Sequence, residues 1–247
     1  MDGAEGGALD RPPDGAAEDL EPARLGLPEK AGAEPPSAPA PACPGGAAGG
    51  PGRVQKNLSE QVEQAKAPGA TVEVWAFDEH RIGLKPILRR QWAPVGRRPV
   101  ALSHHRYEWL YLYGFVHPSS GRVEWFLFNT VNAESFSHCL ASFAREAGAG
   151  RDKVVVLVLD NAGWHVSDRV VVPDGLTPVF LPPYSPELQP AECLWPLANE
   201  AVADRSFATL DALDAALAER CRALCGQPDT ITSRTLFHWW PEQPHPN

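Results

Sequence analysis

The sequence predicts an α/β domain, a mixed central sheet of about five strands flanked by helices. Three observations carry that prediction. Five apolar runs have strand length and β-branched or aromatic character: TVEVWAFD, WLYLYGFV, RVEWFLFN, KVVVLVLD and GLTPVFL. Stretches with helical spacing follow the third and the fifth of them. All 8 Trp lie after residue 52, so the folded part is separable from what precedes it.

Residues 1–52 contain 12 Ala, 11 Gly and 10 Pro, and no Ile, Val, Phe, Tyr or Trp. Such a segment cannot bury enough apolar surface to offset its ordering entropy. The expected organisation is a disordered acidic tail over 1–52, a helical lead-in over 53–69 (RVQKNLSEQVEQAKAPG), a folded domain over 70–241 and a short tail over 242–247.

Each element has its own signal. TVEVWAF alternates and then becomes wholly apolar, as a central strand does. WLYLYGFV (109–116) and RVEWFLFN (122–129) flank HPSSG, a turn-forming stretch, so these three runs form an antiparallel meander. In NAESFSHCLASFAREAG, Phe136, Leu140 and Phe143 fall at helical spacing. Asn132 is its N-cap, and Gly148 and Gly150 end it. VVVLVLD (154–160) reads as a buried strand, a short helix or loop follows, and GLTPVFL (175–181) is a further strand. One helix starts at about Pro190. Another spans roughly 209–224, with Thr209 as cap and Leu210, Leu213, Leu217 and Leu224 as its apolar stripe. Three strands, helix, strand, strand, helix is the order of the ribonuclease H-like fold. In that fold the first and fourth strands are neighbours at the sheet centre.

That arrangement brings three acids into one argument. Asp78 and Asp160 end adjacent apolar runs, and Glu192 sits in the first turn of the helix after the last strand. Hard cations such as Mg2+ take oxygen ligands and keep several waters, so a few carboxylates and a substrate phosphate complete the shell. Two such ions serve phosphodiester chemistry by activating the attacking oxygen and stabilising the leaving one. The charge balance fits a nucleic-acid partner. The net charge is −9, but residues 1–52 carry nine acids against three bases, a net of −6. Residues 81–106 hold Arg81, Lys85, Arg89, Arg90, Arg97, Arg98 and Arg106 with no acid. A basic block beside an acidic site suits a phosphate backbone.

Five irregularly spaced Cys argue against a disulfide framework. Cys221 and Cys225, with His238 downstream, are a weak zinc candidate; buried thiols are the expectation. No apolar run reaches membrane-spanning length and no signal pattern opens the chain, so a cytoplasmic protein without a membrane partner is expected.

Four stretches carry a resemblance to a known family: VWAFDEHRIGLKP, VVLVLDNAGWH, LPPYSPELQPAECLW and the hairpin LYLYGFVHPSSG. From residue 53 to about 241 the chain resembles the Asp-Asp-Glu (DDE) catalytic domain of bacterial insertion-sequence transposases of the mariner-like superfamily. The resemblance implies metal-dependent DNA cleavage and strand transfer, with Asp78, Asp160 and Glu192 as catalytic and metal-binding residues. It implies Mg2+ or Mn2+, two ions, DNA partners (transposon ends and target), self-association as a homodimer and no small-molecule substrate. The 32-residue interval from Asp160 to Glu192 is similar to the family's short second spacing. Members normally carry N-terminal helix-turn-helix units. Here a Gly/Pro/Ala tail stands in that place, which leaves an alternative: a truncated, inactive remnant that only binds DNA non-specifically.

Several residues beside the acids are weighed for site roles. Asn161 and His165 are auxiliary candidates for orienting substrate or a ligand water. Tyr184 and Ser185 are candidates for the DNA backbone, with Arg81, Lys85, Arg89, Arg90, Arg97 and Arg98. Glu79 is expected on the opposite strand face from Asp78, as an ion-pair partner of Arg81 or the basic block. Trp164 and Trp195 are expected in the core. Pro196 is expected to kink or restart the helix that bears Glu192. A glycosidase or phosphatase using paired carboxylates is the remaining rival, weakened by the basic block.

Overall fold

The computed structural model describes residues 51–66, 69–89 and 106–241. Five strands form one sheet: β1 (Thr71–Gly83), β2 (Trp109–His117), β3 (Arg122–Phe128), β4 (Lys153–Leu159) and β5 (Leu176–Phe180). Their spatial order is β3-β2-β1-β4-β5. β1, β2 and β3 pair antiparallel, whereas β4 runs parallel to both β1 and β5. β5 accepts a proline, Pro178, within its run because it is an edge strand.

The alternation along β1 builds two cores, one on each face. Trp75 and Phe77 meet Phe115, Phe126 and the buried face of α2 (Ala133–Ala147), supplied by Phe136, Leu140 and Phe143. The other face, with Val74 and Ala76, meets α1 (Pro51–Ala65), α3 (Leu194–Asn199), α4 (Leu210–Cys225) and α5 (Pro228–Thr235). The caps of α2 and α4 are the expected ones. Asn132 accepts from the Ser135 amide, and Thr209 from the Ala212 amide. Gly148 closes α2 at φ 70°, a conformation that favours glycine.

The structure departs from the sequence reading in three places. β1 does not end at Asp78; it continues to Gly83, paired with β2 throughout. Residues 160–175 form turns, the loop of the two expected alternatives. Glu192 lies not in an α-helix but in a 3-10 turn, Pro190–Cys193, and α3 begins two residues later. Pro196 is then the third residue of α3, where no helical amide bond is needed, so it restarts the helix without breaking it. Finally, α5 has no counterpart in the sequence reading. Its PDTITSRT is short, polar and rich in β-branched Thr, and only Ile231 and Thr235 are buried.

Candidate active site

The parallel register decides where the two aspartates sit. Ala76 pairs with Val158, and the pairing stops there. Asp78 and Asp160 each lie two residues further on, so they face each other across the point where β1 loses its neighbour. With Glu192 they line a cavity of about 490 Å3, shared with Asn161, Tyr184, Ser185 and Gln189.

Gln189 brings Glu192 there. Its side chain is buried, and Nε2 donates to the Phe77 carbonyl (2.9 Å) while Oε1 accepts from the Ala191 amide (3.4 Å). The amide thus ties the Glu192 turn to β1 one residue before Asp78. Trp195 completes the frame: its indole Nε1 donates to Asp78 Oδ2 at 2.9 Å, and its ring stacks on His80. The ring approaches the sheet closely because Gly114, without a side chain, is the β2 partner of Asp78. A Cβ there would stand 3.0 Å from Trp195, 3.1 Å from Trp125 and 3.2 Å from Leu194.

Asp160 is anchored separately. Its carboxylate is half exposed, and Oδ1 accepts from the Ala162 amide (3.0 Å) and from His165 Nδ1 (2.7 Å). On its other side His165 Nε2 meets Glu79 Oε2 at 3.1 Å, and Glu79 Oε1 accepts from Trp164 Nε1 at 2.7 Å. Glu79 is therefore on the face opposite Asp78, as its position in the strand requires. Its partners are His165 and Trp164, however, and not Arg81, which lies over the Trp109 ring at 4.8 Å. Trp195 is in the core as expected, whereas Trp164 is only half-buried and belongs to neither core; both donate to acids.

The electrostatics follow from crowding. Burial pushes the Asp78 pKa well above the usual carboxylate value, and the nearby Glu192 and Glu79 charges push it further; the Trp195 bond opposes them. Burial also raises Glu192, against a hydrogen bond it shares with Asp78, while Asp160 and Glu79 add to the rise. Asp160 goes the other way, lowered chiefly by its bond to His165. Burial disfavours a charged His165, but Asp160 and Glu79 outweigh it and hold its pKa at about 9.

Among the described residues no three His, Cys, Asp or Glu side chains stand at metal-ligand spacing. Asp78 and Glu192 lie close enough for each to hold the other's carboxyl above its usual range together with burial. The chemistry of the donor set still fits a hard divalent cation. It is all oxygen, crowded and proton-retaining, the condition that a bound cation relieves.

The basic candidates are less gathered. Arg81 and Lys85 are exposed and do not line the cavity. Arg89 donates to the Pro196 carbonyl, and its own amide donates to Asp204. Arg90, Arg97 and Arg98 lie outside the described residues. Tyr184 lines the cavity with φ 58° and 99% exposure, a strained backbone bearing a ring in solvent. Ser185 is buried, its hydroxyl donating to the Pro183 carbonyl. Asn161 Nδ2 donates to the Leu181 carbonyl, fixing the turn after β4. Cys221 and Cys225 carry raised pKa values, chiefly through burial, and belong to no metal cluster among the described residues. No helix among the described residues is long and apolar enough to cross a membrane.

A family model described as DDE superfamily endonuclease matches residues 73–214. "Uncharacterized protein y4pE/y4sA" of Sinorhizobium fredii (strain NBRC 101917 / NGR234) is 34% identical over 132 residues, covering 53% of this chain and 96% of that protein. Among solved structures, "Crystal structure of the Mos1 mariner paired end complex with Mn" superposes with a TM-score of 0.53 at 15% identity, covering 82% of this chain and 65% of that one. "Crystal structure of a pre-cleavage Mos1 transpososome" gives 0.49 at 15%, covering 82% and 66%. The chain thus spans just under two thirds of those proteins, and the likeness to the first shows its fold, ribonuclease H-like. The extent of the family match, from within β1 into α4 and across all three acids, makes this chain a member of the DDE superfamily endonucleases.

Proposed function

We propose that this domain cleaves DNA with the help of divalent metal ions and joins the freed 3′-hydroxyl to a target, the chemistry of cut-and-paste transposition. One observation carries the reading: Asp78 and Asp160 face each other where β1 outruns β4, and Glu192 is tied over the same cavity by Gln189. Family membership and a structural relative described as a paired-end complex with Mn support it.

Asp78, Asp160 and Glu192 would hold Mg2+ or Mn2+, two ions in the reading. When bound, such ions lower the pKa of the attacking water and steady the charge on the leaving oxygen. The chain's own residues do the rest. Asp78 and Glu192, whose pKa values burial raises, would bind as carboxylates, so binding would be favoured as pH rises. The indole of Trp195 keeps one oxygen of Asp78 directed away from competing partners. Asn161 holds the turn that forms the cavity wall, and the exposed Tyr184 presents a ring to a DNA strand entering it. Arg81 and Lys85, with the basic residues up to Arg106, supply charge for the phosphate backbone of transposon ends and target. Association of two copies on paired ends belongs to the same reading.

Nicking of supercoiled plasmid tests it. With Mg2+ or Mn2+ the native chain nicks, and Asp78→Asn, Asp160→Asn and Glu192→Gln do not. Nicking that persists in all three variants removes the assignment.

A further inference from the structure

Asp160 differs from Asp78 in how it is held. Its Oδ1 already accepts two hydrogen bonds, from the Ala162 amide and from His165, which leaves Oδ2 as the oxygen available to the cavity. The imidazole that does this has no freedom of its own. It is buried, edge-on to Phe77 and against Phe136, and its far nitrogen is bonded to Glu79. Glu79 in turn is fixed by the Trp164 indole. The chain Trp164–Glu79–His165–Asp160 runs from one side of the sheet to the cavity on the other, and no member except Asp160 lines the cavity.

We propose that Glu79, Trp164 and His165 are positioning residues that lock the Asp160 carboxylate in one orientation, so that Oδ2 alone is turned to a divalent cation. This rests on the metal-site reading above and adds residues to it. The physical need is clear. A half-exposed carboxylate at the end of a strand otherwise rotates among several orientations, and a ligand that must be ordered on binding weakens the site. Here the ordering is built in by groups on the far face of β1. Glu79 matters because its Oε2 holds the far ring nitrogen of His165, so the imidazole cannot rotate away from Asp160.

Two substitutions of one residue separate positioning from mere packing. In His165→Asn the amide nitrogen stands where Nδ1 stood and keeps the bond to Asp160. In His165→Gln the amide nitrogen reaches the place of Nε2 and loses it. Both remove the same ring contacts with Phe77 and Phe136, so both lower the melting temperature. Calorimetric titration of the full chain with Mn2+ then reads the effect on the site. His165→Gln is expected to weaken Mn2+ binding by about tenfold or more, and His165→Asn to bind close to the native chain. Glu79→Gln, which leaves every cavity-lining residue in place, weakens binding by several-fold. Equal affinity in all four proteins overturns the proposal, as does an equal loss in both His165 variants with no effect of Glu79→Gln. If the native chain itself binds no Mn2+, the metal-site reading fails and takes this proposal with it, an outcome visible before any variant is made.

Discussion

Gly114→Ala probes the packing that supports Asp78. The added methyl would meet Trp195 at 3.0 Å, Trp125 at 3.1 Å and Leu194 at 3.2 Å. Comfortable carbon contacts are about 3.5–4.0 Å, so each neighbour must give by a few tenths of an ångström or more. Two of the three are indoles packed in one core, with ring centroids 6.3 Å apart, and neither can move without pressing on others. Overpacking of this kind costs about 1–3 kcal/mol. In a domain of this size each kcal/mol lowers the melting temperature by roughly 2–4 °C. The displacement also reaches the site. Trp195 Nε1 is 2.9 Å from Asp78 Oδ2, and a shift of about half an ångström takes that bond to the edge of hydrogen-bond range. Asp78 then loses the one side-chain donor that opposes its raised pKa, and binds metal only at higher pH. Thermal melting and Mn2+ titration at two pH values measure both effects. A Gly114→Ala protein as stable as the native one, with unchanged Mn2+ affinity, refutes the account of why a glycine faces Asp78.

Gln189→Ala removes the tether between the Glu192 turn and the Phe77 carbonyl and leaves that carbonyl without its buried donor; urea unfolding should show a loss of about 1–3 kcal/mol, and plasmid nicking should fall with it. Saturating Mg2+, at about a hundred times its dissociation constant, should raise the melting temperature of the native chain by roughly 5–10 °C and that of Asp160→Asn by clearly less; equal shifts contradict the metal assignment. Glu73 gives a pH test away from the site. Burial raises its pKa, but Lys153 at 2.7 Å, the Trp75 indole at 2.9 Å and Arg122 outweigh it, so the net shift is downward from 4.5. A lowered acid stabilises the fold above its unfolded pKa and stops doing so as pH falls through the folded one. Glu73→Gln should therefore cost about 1 kcal/mol near pH 7, and the two proteins should converge in acid below about pH 4.

The elements legible in the sequence are those whose signal is local. Alternation and β-branching gave all five strands, and the 3.6-residue spacing of Phe136, Leu140 and Phe143 gave α2 with its cap at Asn132. The nearness of Asp78 and Asp160 follows from the element order, which is that of the ribonuclease H-like fold with its first and fourth strands adjacent. What escaped was set by contacts distant in the chain. Gln189 reaches Phe77 across 112 residues, and Trp195 reaches Asp78 across 117. No window contains both ends of either bond. Glu79 illustrates a different failure. Its parity in β1 correctly turned it away from Asp78, but the nearest opposite charges in sequence, Arg81 and the basic block, were taken for its partners. The sheet instead delivers it to His165, 86 residues on. A rule that asks what else lies on that face, and not what lies next in sequence, finds the correct partner.

β1 runs on from Asp78 to Gly83, while β4 stops at Leu159. The cavity owes its depth to that unequal length. It is a notch where the sheet is one strand narrower, and of β1 it is Asp78 that lines it. Were the register to continue past Val158, Asp160 itself would pair with Asp78 and the gap beside β1 would close. The turn that takes the chain away immediately after Leu159 is thus under as strict a demand as any of the acids. Homologues of different total length should vary everywhere around this notch except in the residue count that creates it.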